Sequence, residues 1–377
     1  LLHTEINPNL KLVPPFYVQG TEATAMTPTE PGGLLRAGAS AFGFGGINAH
    51  LLLEEWPSGD DHHSPEEKLA KSGPSAQNRI APEPIAIVGM ETLFGPSKDL
   101  RAFQRVVLKG QPVFEAPTPG RWKNCEELLQ KVLHRKTPPM GAFLNDFEID
   151  LSDFRIPPKE IADILPQHLL MLKVALAAMR DAGMATDTER PGMGCIIGME
   201  FDLEDTNFHL RWDAYDTADR WNTRYALGLS PEQVEIWGQA LADAYALPLT
   251  HTRTLGSLGG LIASRIAREF HFGGPSFVLS DDAASGLKAL NMASGLLAQR
   301  DVDSMLVGAV DLPADLRRVL KANGLHPDTR QSAPASLDQA ADGSLYGEGA
   351  AAIVIKRLAD AQRENDRIYA IVTGFGT

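Results

Sequence analysis

Within the run Gly274–Leu290 an apolar, strand-like stretch feeds a tight turn and then a helix. A strand that feeds a tight turn and then a helix is the repeating unit of layered α/β domains, and its turn can raise a reactive side chain into a pocket. Other segments extend the pattern. Pro84–Met90, Gly194–Met199, Ser304–Ala309 and Ala350–Lys356 are short apolar runs suited to buried strands. Between them the spacing predicts helices over 98–109, 166–182, 231–246, 258–270 and 284–299. The first carries Leu100, Phe103, Val106 and Val107 on one face, and the second has Pro166 in its first turn and Gly183 as its stop. Strands alternating with helices predict α/β layers around a parallel or mixed sheet.

With 377 residues the chain is long enough for two domains, or for one large domain with attachments. A net charge of −13 argues against wholesale binding to nucleic acid or an anionic membrane. The only cysteines, Cys125 and Cys195, have no CxxC spacing, so neither a disulfide framework nor a zinc site is expected, and the expected compartment is the cytoplasm. No apolar run reaches the roughly 18 residues of a membrane span. The opening Leu1-Leu2-His3-Thr4-Glu5 reads as a cut inside a longer polypeptide.

Composition changes at 57–82, where Pro, Ser, Gly and charged residues replace apolar ones. Such a stretch buries little area against its ordering entropy and is expected to be a linker, with His62-His63 solvated in it. Before it, Arg36–Phe42 and Ala49–Trp56 read as two short strands joined by the glycine-rich turn Gly43-Phe44-Gly45-Gly46. His168, set among Leu169, Leu170 and Leu172, reads as a satisfied, partly buried core histidine. Arg135-Lys136 and Arg317-Arg318 are small basic spots, expected on a solvated face unless they meet an acidic partner.

The ordered motifs resemble the β-ketoacyl synthase family. Residues 83–377 are similar to the first two-thirds of a ketosynthase-type domain through Glu83–Met90, Arg121-Trp122, Phe143 to Phe154, Leu165–Leu170, the turn before Ser285, Gly308–Asp311 and Asp342–Ala350. Residues 1–56 are similar to the last portion of the same family through Asn7–Leu10, Pro15–Val18 and Gly43–His50. The resemblance implies a thiolase-like αβαβα fold, incomplete in this chain. It divides the chain into a C-terminal ketosynthase portion at 1–56, a linker at 57–82, and an N-terminal portion of a second ketosynthase-like domain at 83–377. The stretch 203–250, with Trp212, Trp221 and Trp237, departs from an ordinary ketosynthase.

The family performs decarboxylative Claisen condensation with a cysteine that accepts the acyl chain, two histidines and an oxyanion hole. The cysteine position is occupied by Ala283, whose methyl group cannot attack a thioester. Neither family histidine motif occurs in the chain. The resemblance places an oxyanion-hole amide of the upstream domain at Phe44, and acyl-binding backbone at Gly43, Gly45, Gly46, Gly347 and Gly349. His50 is expected to be structural. Ser285 lies about 200° around the helix from Ala283 and is expected to face away from that pocket, and Asp281 or Asp282 is expected to cap the helix. No cofactor is expected to bind directly, since the phosphopantetheine arrives on an acyl carrier protein. A ketosynthase-like domain without its cysteine, following a ketosynthase, resembles the chain-length factor of polyunsaturated fatty-acid synthases and iterative polyketide synthases. The expected partners are therefore the carrier protein and a ketosynthase domain. Two alternatives stay open: a carrier-docking or assembly module without an acyl pocket, and an acyltransferase using Ser285.

Overall fold

The computed structural model describes residues 33–42, 48–55, 83–110, 113–122, 125–134, 138–200, 206–312, 316–325, 339 and 341–376. The Gly43–Gly46 turn, with Phe44, and the expected linker at 57–82 lie outside the described residues. The chain divides into two compact units, residues 1–79 and 80–377. In the first, strands β1 (Arg36–Phe42) and β2 (Asn48–Glu54) pair antiparallel, with Arg36 opposite Glu54 and Ser40 opposite His50. An Arg36–Glu54 ion pair and a Ser40 Oγ to His50 Nδ1 contact of 2.9 Å link these cross-strand partners. His50 thus makes a hairpin contact, as a structural residue would.

The second unit is built on a six-stranded mixed sheet of β3 (Ile85–Phe94), β5 (Met193–Met199), β6 (Ser276–Leu279), β7 (Ser304–Asp311), β9 (Gly349–Arg357) and β10 (Ala370–Val372). Its order is β10-β3-β9-β7-β5-β6. β5, β6 and β7 are parallel, while β3, β9 and β10 complete the sheet through antiparallel pairs. The short strands β4 (Gly141–Ala142) and β8 (Tyr346–Gly347) pair separately.

The helices are α1 (Leu100–Lys109), α2 (Glu126–Val132), α3 (Pro166–Asp181), α4 (Thr206–Arg224), α5 (Pro231–Tyr245), α6 (His251–Ser257), α7 (Ile262–Glu269), α8 (Ser285–Ala298), α9 (Leu316–Leu325) and α10 (Leu358–Arg363). The helix expected over 258–270 opens as a 3-10 turn, Gly259–Leu261, before α7. α3 packs across β3, β9 and β7, while α8 packs on β5 and β7. The side chains divide accordingly. Cys195, Ile197, Leu306 and Val354 belong to the core shared with α3 and α7, whereas Ile196, Met305, Val307 and Ile355 belong to the core shared with α8. Successive strand residues point to opposite faces, so a sheet covered on both sides explains why all of β5 is buried. The result is a helix–sheet–helix sandwich of three layers. No helix among the described residues is long and apolar enough to cross a membrane.

α3 is buried on nearly all sides, and this corrects the reading of His168. The imidazole is fully buried, and neither ring nitrogen has a hydrogen-bond partner among the described residues. Burial pushes it down to about 3, the Arg265 charge adds to the shift, and the Gly259 backbone acts against it. The folded-state value lies below the unfolded one, so the unfolded chain binds the extra proton. This stability is present above about pH 6.5 and is lost as pH falls toward 3. The wild type should lose about 2 kcal/mol more than a His168→Leu variant between pH 7 and pH 5, measured by urea unfolding. Parallel pH profiles for the two proteins would refute this assignment.

Candidate functional site

β6 ends at Leu279, the turn occupies Ser280–Ala284, and α8 begins at Ser285. The structure therefore builds the strand–turn–helix unit read from the sequence, at the end of the sheet where parallel strands finish. Asp282 holds a left-handed conformation with φ 45°, uncommon for a non-glycine residue though commoner for Asp, and a neighbouring side chain holds it there. Ser285 does this. Its hydroxyl accepts the Asp281 N–H at 2.8 Å and donates to the Asp282 carbonyl at 2.7 Å. The Ala284 N–H to Asp281 carbonyl bond of 2.9 Å closes the turn.

This arrangement corrects the capping expectation. Ala284 is the helix cap residue, no side chain caps it, and neither Asp281 nor Asp282 does that work. Instead the hydroxyl inside the first turn reaches back, and Asp281 lies 3.8 Å from Lys288. Ser285 is buried while Ala283 is exposed, so the two do face differently. A serine whose hydroxyl is already engaged as both donor and acceptor is poorly placed to attack a substrate.

The turn sits where it does because β5 lets the helix approach. A Cβ on Gly198 would fall 2.7 Å from the Gly286 nitrogen and 2.7 Å from the Ser285 carbonyl carbon. One on Gly286 would meet the Ala309 methyl at 3.1 Å. Small residues on both sides seat the first turn of α8 directly on β5 and β7.

A large cleft of the second unit lies elsewhere in the sequence. It measures about 870 Å³ and its lining includes Arg121, Asn145, Asp163, Phe208, Arg253 and Glu348. Glu348 is buried between Gly347 and Gly349. Both of its carboxylate oxygens accept from Arg121 Nη2, and one also accepts the Leu144 N–H at 2.7 Å, while its backbone carbonyl accepts the Gly95 N–H at 2.8 Å. Burial pushes the Glu348 carboxyl up, and the Arg121 guanidinium acts against that shift. Arg121 also lies over the Phe143 ring, 4.6 Å from its centroid. A second pair, Arg253–Asp163 at 2.6 Å, lines the same cleft.

Gly349 is needed where it stands. Its φ is 149°, and a Cβ there would meet the Leu93 carbonyl at 2.1 Å. Gly347 has open space beside it. Arg318, read as a surface spot, instead pairs with Glu200 and with Asp311 at 2.5 Å, tying the ends of β5 and β7 together. Arg135-Lys136 lies outside the described residues. In the sequence Arg121 stands out only as part of a motif, and its pairing with Glu348 spans 227 residues. Of the two cysteines, Cys195 is buried in β5 with its thiol pushed far up by desolvation, an inert packing residue.

Replacing Ser285 by alanine would leave the Asp281 N–H and the Asp282 carbonyl without this partner, and should lower stability by about 1–3 kcal/mol. Gly198→Ala should cost a similar amount by forcing α8 off the sheet. Denaturant midpoints at unchanged m-value check both, and a shift below about 0.5 kcal/mol in either would contradict this account.

The family model for the N-terminal domain of β-ketoacyl synthases matches residues 82–361. A polyunsaturated fatty acid synthase subunit from Thraustochytrium sp. is 30% identical over 371 residues, covering 96% of this chain and 17% of that protein. A phenolphthiocerol/phthiocerol polyketide synthase subunit from Mycobacterium tuberculosis is 29% identical over 320 residues, covering 82% of this chain and 15% of that protein. The chain thus spans about a sixth of the length of these two relatives. Among solved structures, the PfaC ketosynthase–chain length factor matches with a TM-score of 0.70 at 27% identity, over 90% of this chain and 34% of that one. A ketosynthase from module 6 of the Bacillus subtilis bacillaene synthase shares the fold, with a TM-score of 0.55 at 22% identity, over 77% of this chain and 42% of that one. The chain has the thiolase-like fold of ketosynthases, is homologous to the ketosynthase–chain length factor region of such synthases, and belongs to the β-ketoacyl synthase family.

Proposed function

We propose that residues 83–377 are the N-terminal portion of a chain-length-factor-like domain. In this reading the domain does not condense acyl chains itself but shapes the chain-holding space of a ketosynthase partner. Residues 1–56 are assigned to the C-terminal portion of that upstream ketosynthase, with 57–82 as the connection. The substrate is an acyl chain carried as a phosphopantetheine thioester on an acyl carrier protein, and the setting is a soluble cytoplasmic multidomain synthase.

One observation carries the reading. The position that must hold a nucleophile, on an ordered strand–turn–helix unit, presents the exposed methyl group of Ala283. Covalent acyl transfer needs a nucleophile activated by a base or by a lowered pKa, and a methyl group offers neither. The buried, doubly bonded hydroxyl of Ser285 weighs against a serine-dependent acyltransferase. Phe44, Gly43, Gly45 and Gly46 are assigned to the upstream oxyanion hole and acyl border, and Gly347 and Gly349 to the border of the downstream acyl space, where they flank the cleft residue Glu348. The cleft also favours a chain-shaping domain over a docking module without an acyl pocket, since its volume lies in the range of small-molecule sites.

Two measurements test the proposal. Incubation with octanoyl-pantetheine thioester followed by peptide mass spectrometry should give no covalent adduct, and an octanoyl group on Ser285 would overturn the non-catalytic reading. Ala162 is exposed and lines the cleft, so Ala162→Phe should narrow it without disturbing the core. In the parent synthase this variant should shift products toward shorter chains while condensation continues, and an unchanged product distribution would refute the chain-shaping role.

A further inference from the structure

We propose that the cleft beside the Arg121–Glu348 pair selects an uncharged chain that still carries an oxygen acceptor, a keto or hydroxyl group, over a pure hydrocarbon. This rests on the reading above that the domain holds an acyl chain, and it names the class of chain.

The Arg121 side chain is 8% exposed. Nη2 is committed to Glu348, and Nη1 donates to Asn145 Oδ1 at 3.2 Å. Nε is buried and has no partner among the described residues. A planar guanidinium offers five N–H groups, so its hydrogen-bonding capacity is only partly used. The group covering it is weakly held. Asn145 is exposed, and among the described residues its Oδ1 receives a 3.2 Å contact from Arg121 and a 3.4 Å contact from Thr118. An incoming ligand oxygen can take the place of Asn145 Oδ1 on the guanidinium once that side chain turns aside.

Charge decides what kind of oxygen this is. Arg121 is balanced by Glu348 and Arg253 by Asp163, and the remaining charged residue of the lining, Asp146, is negative. A carboxylate would meet two buried or half-buried carboxylates and no spare cation, whereas a carbonyl or hydroxyl brings an acceptor without net charge. A hydrocarbon fits the apolar part of the wall, which includes Leu144, Phe147, Phe208 and Leu312, but covers the guanidinium without pairing it. A ligand oxygen that approaches the guanidinium more closely than the 3.2 Å Asn145 contact gains a charge-assisted hydrogen bond that a hydrocarbon cannot make, which should be worth at least about fivefold in affinity.

The test uses 2-octanone, 1-octene and octanoate as matched eight-carbon probes, with affinities read by ligand-observed NMR titration against the whole chain. The expected order is 2-octanone first, at least fivefold tighter than either 1-octene or octanoate, with binding of 2-octanone removed by Ala162→Phe. Arg121→Lys, which keeps the positive charge beside Glu348 but lacks Nε–H and the planar fork, should erase the preference. Asn145→Ala, a change at an exposed residue that leaves the fold in place, should tighten 2-octanone by removing its competitor. Equal affinity for 2-octanone and 1-octene, both blocked by Ala162→Phe, would sink the oxygen preference while leaving the chain-holding reading intact. Absence of binding by every probe would overturn both. Octanoate binding as tightly as the ketone, or a preference that survives Arg121→Lys, would also overturn the proposal.

Discussion

The arrangement of the second unit depends on how closely α8 can lie on β5. A helix normally stands off a sheet by the depth of the side chains between them. At Gly198 that depth is absent, and the backbone of Ser285 and Gly286 sits within contact distance of where a Cβ would be. The approach brings the Ser285 hydroxyl within reach of the Asp281 N–H and Asp282 carbonyl, and the two bonds hold Asp282 at positive φ. One steric allowance thereby sets the position of Ala283. The turn is held by backbone and by Ser285, not by the residue at its apex, so the geometry is independent of whether that apex carries a reagent.

The same end of the sheet is braced by charge. Arg318 bridges Glu200, just past β5, and Asp311, the last residue of β7. Arg121 reaches Glu348, immediately before β9. Buried or half-buried ion pairs of this kind contribute little net stability against well-packed apolar replacements, because desolvation offsets much of their attraction. What they supply here is direction. Arg318 ties the exits of β5 and β7 together and Arg121 holds the entry of β9, at the edge where the cleft residues Leu312 and Glu348 lie. A hydrophobic contact, being non-directional, would not set that placement.

Elements whose burial is continuous were legible in the sequence. β5 reads as a strand because seven consecutive residues must avoid water on both faces, and α3 reads as a helix because Pro166 and Gly183 bound an apolar run too long for a strand. The helical pair α4 and α5 escaped a full reading. The fully buried part of their mutual contact is made by small residues, with Ala214, Ala218, Gly238 and Ala242 buried and Gly238 pressed against Tyr215. Bulky residues such as Trp212 and Ile236 stay exposed. Hydrophobic periodicity weights bulk, so a contact built from alanine and glycine leaves little signal. The site divides in the same way. Ala283 was legible because strand, turn and helix are contiguous. Arg121 with Glu348 was not, because only the tertiary fold joins residues 227 apart.

The turn and the cleft carry opposite kinds of polar economy. At the turn, Ser285 gives the Asp281 amide and the Asp282 carbonyl a partner within the chain. At the cleft, a buried guanidinium keeps an N–H without a partner among the described residues and is covered by a loosely bonded asparagine. Unmet hydrogen-bonding capacity in a low-dielectric wall is a source of selectivity, since the penalty for the wrong neighbour is larger than the gain from the right one. On the proposed reading, recognition resides in the cleft wall and the turn is an ordered part of the frame.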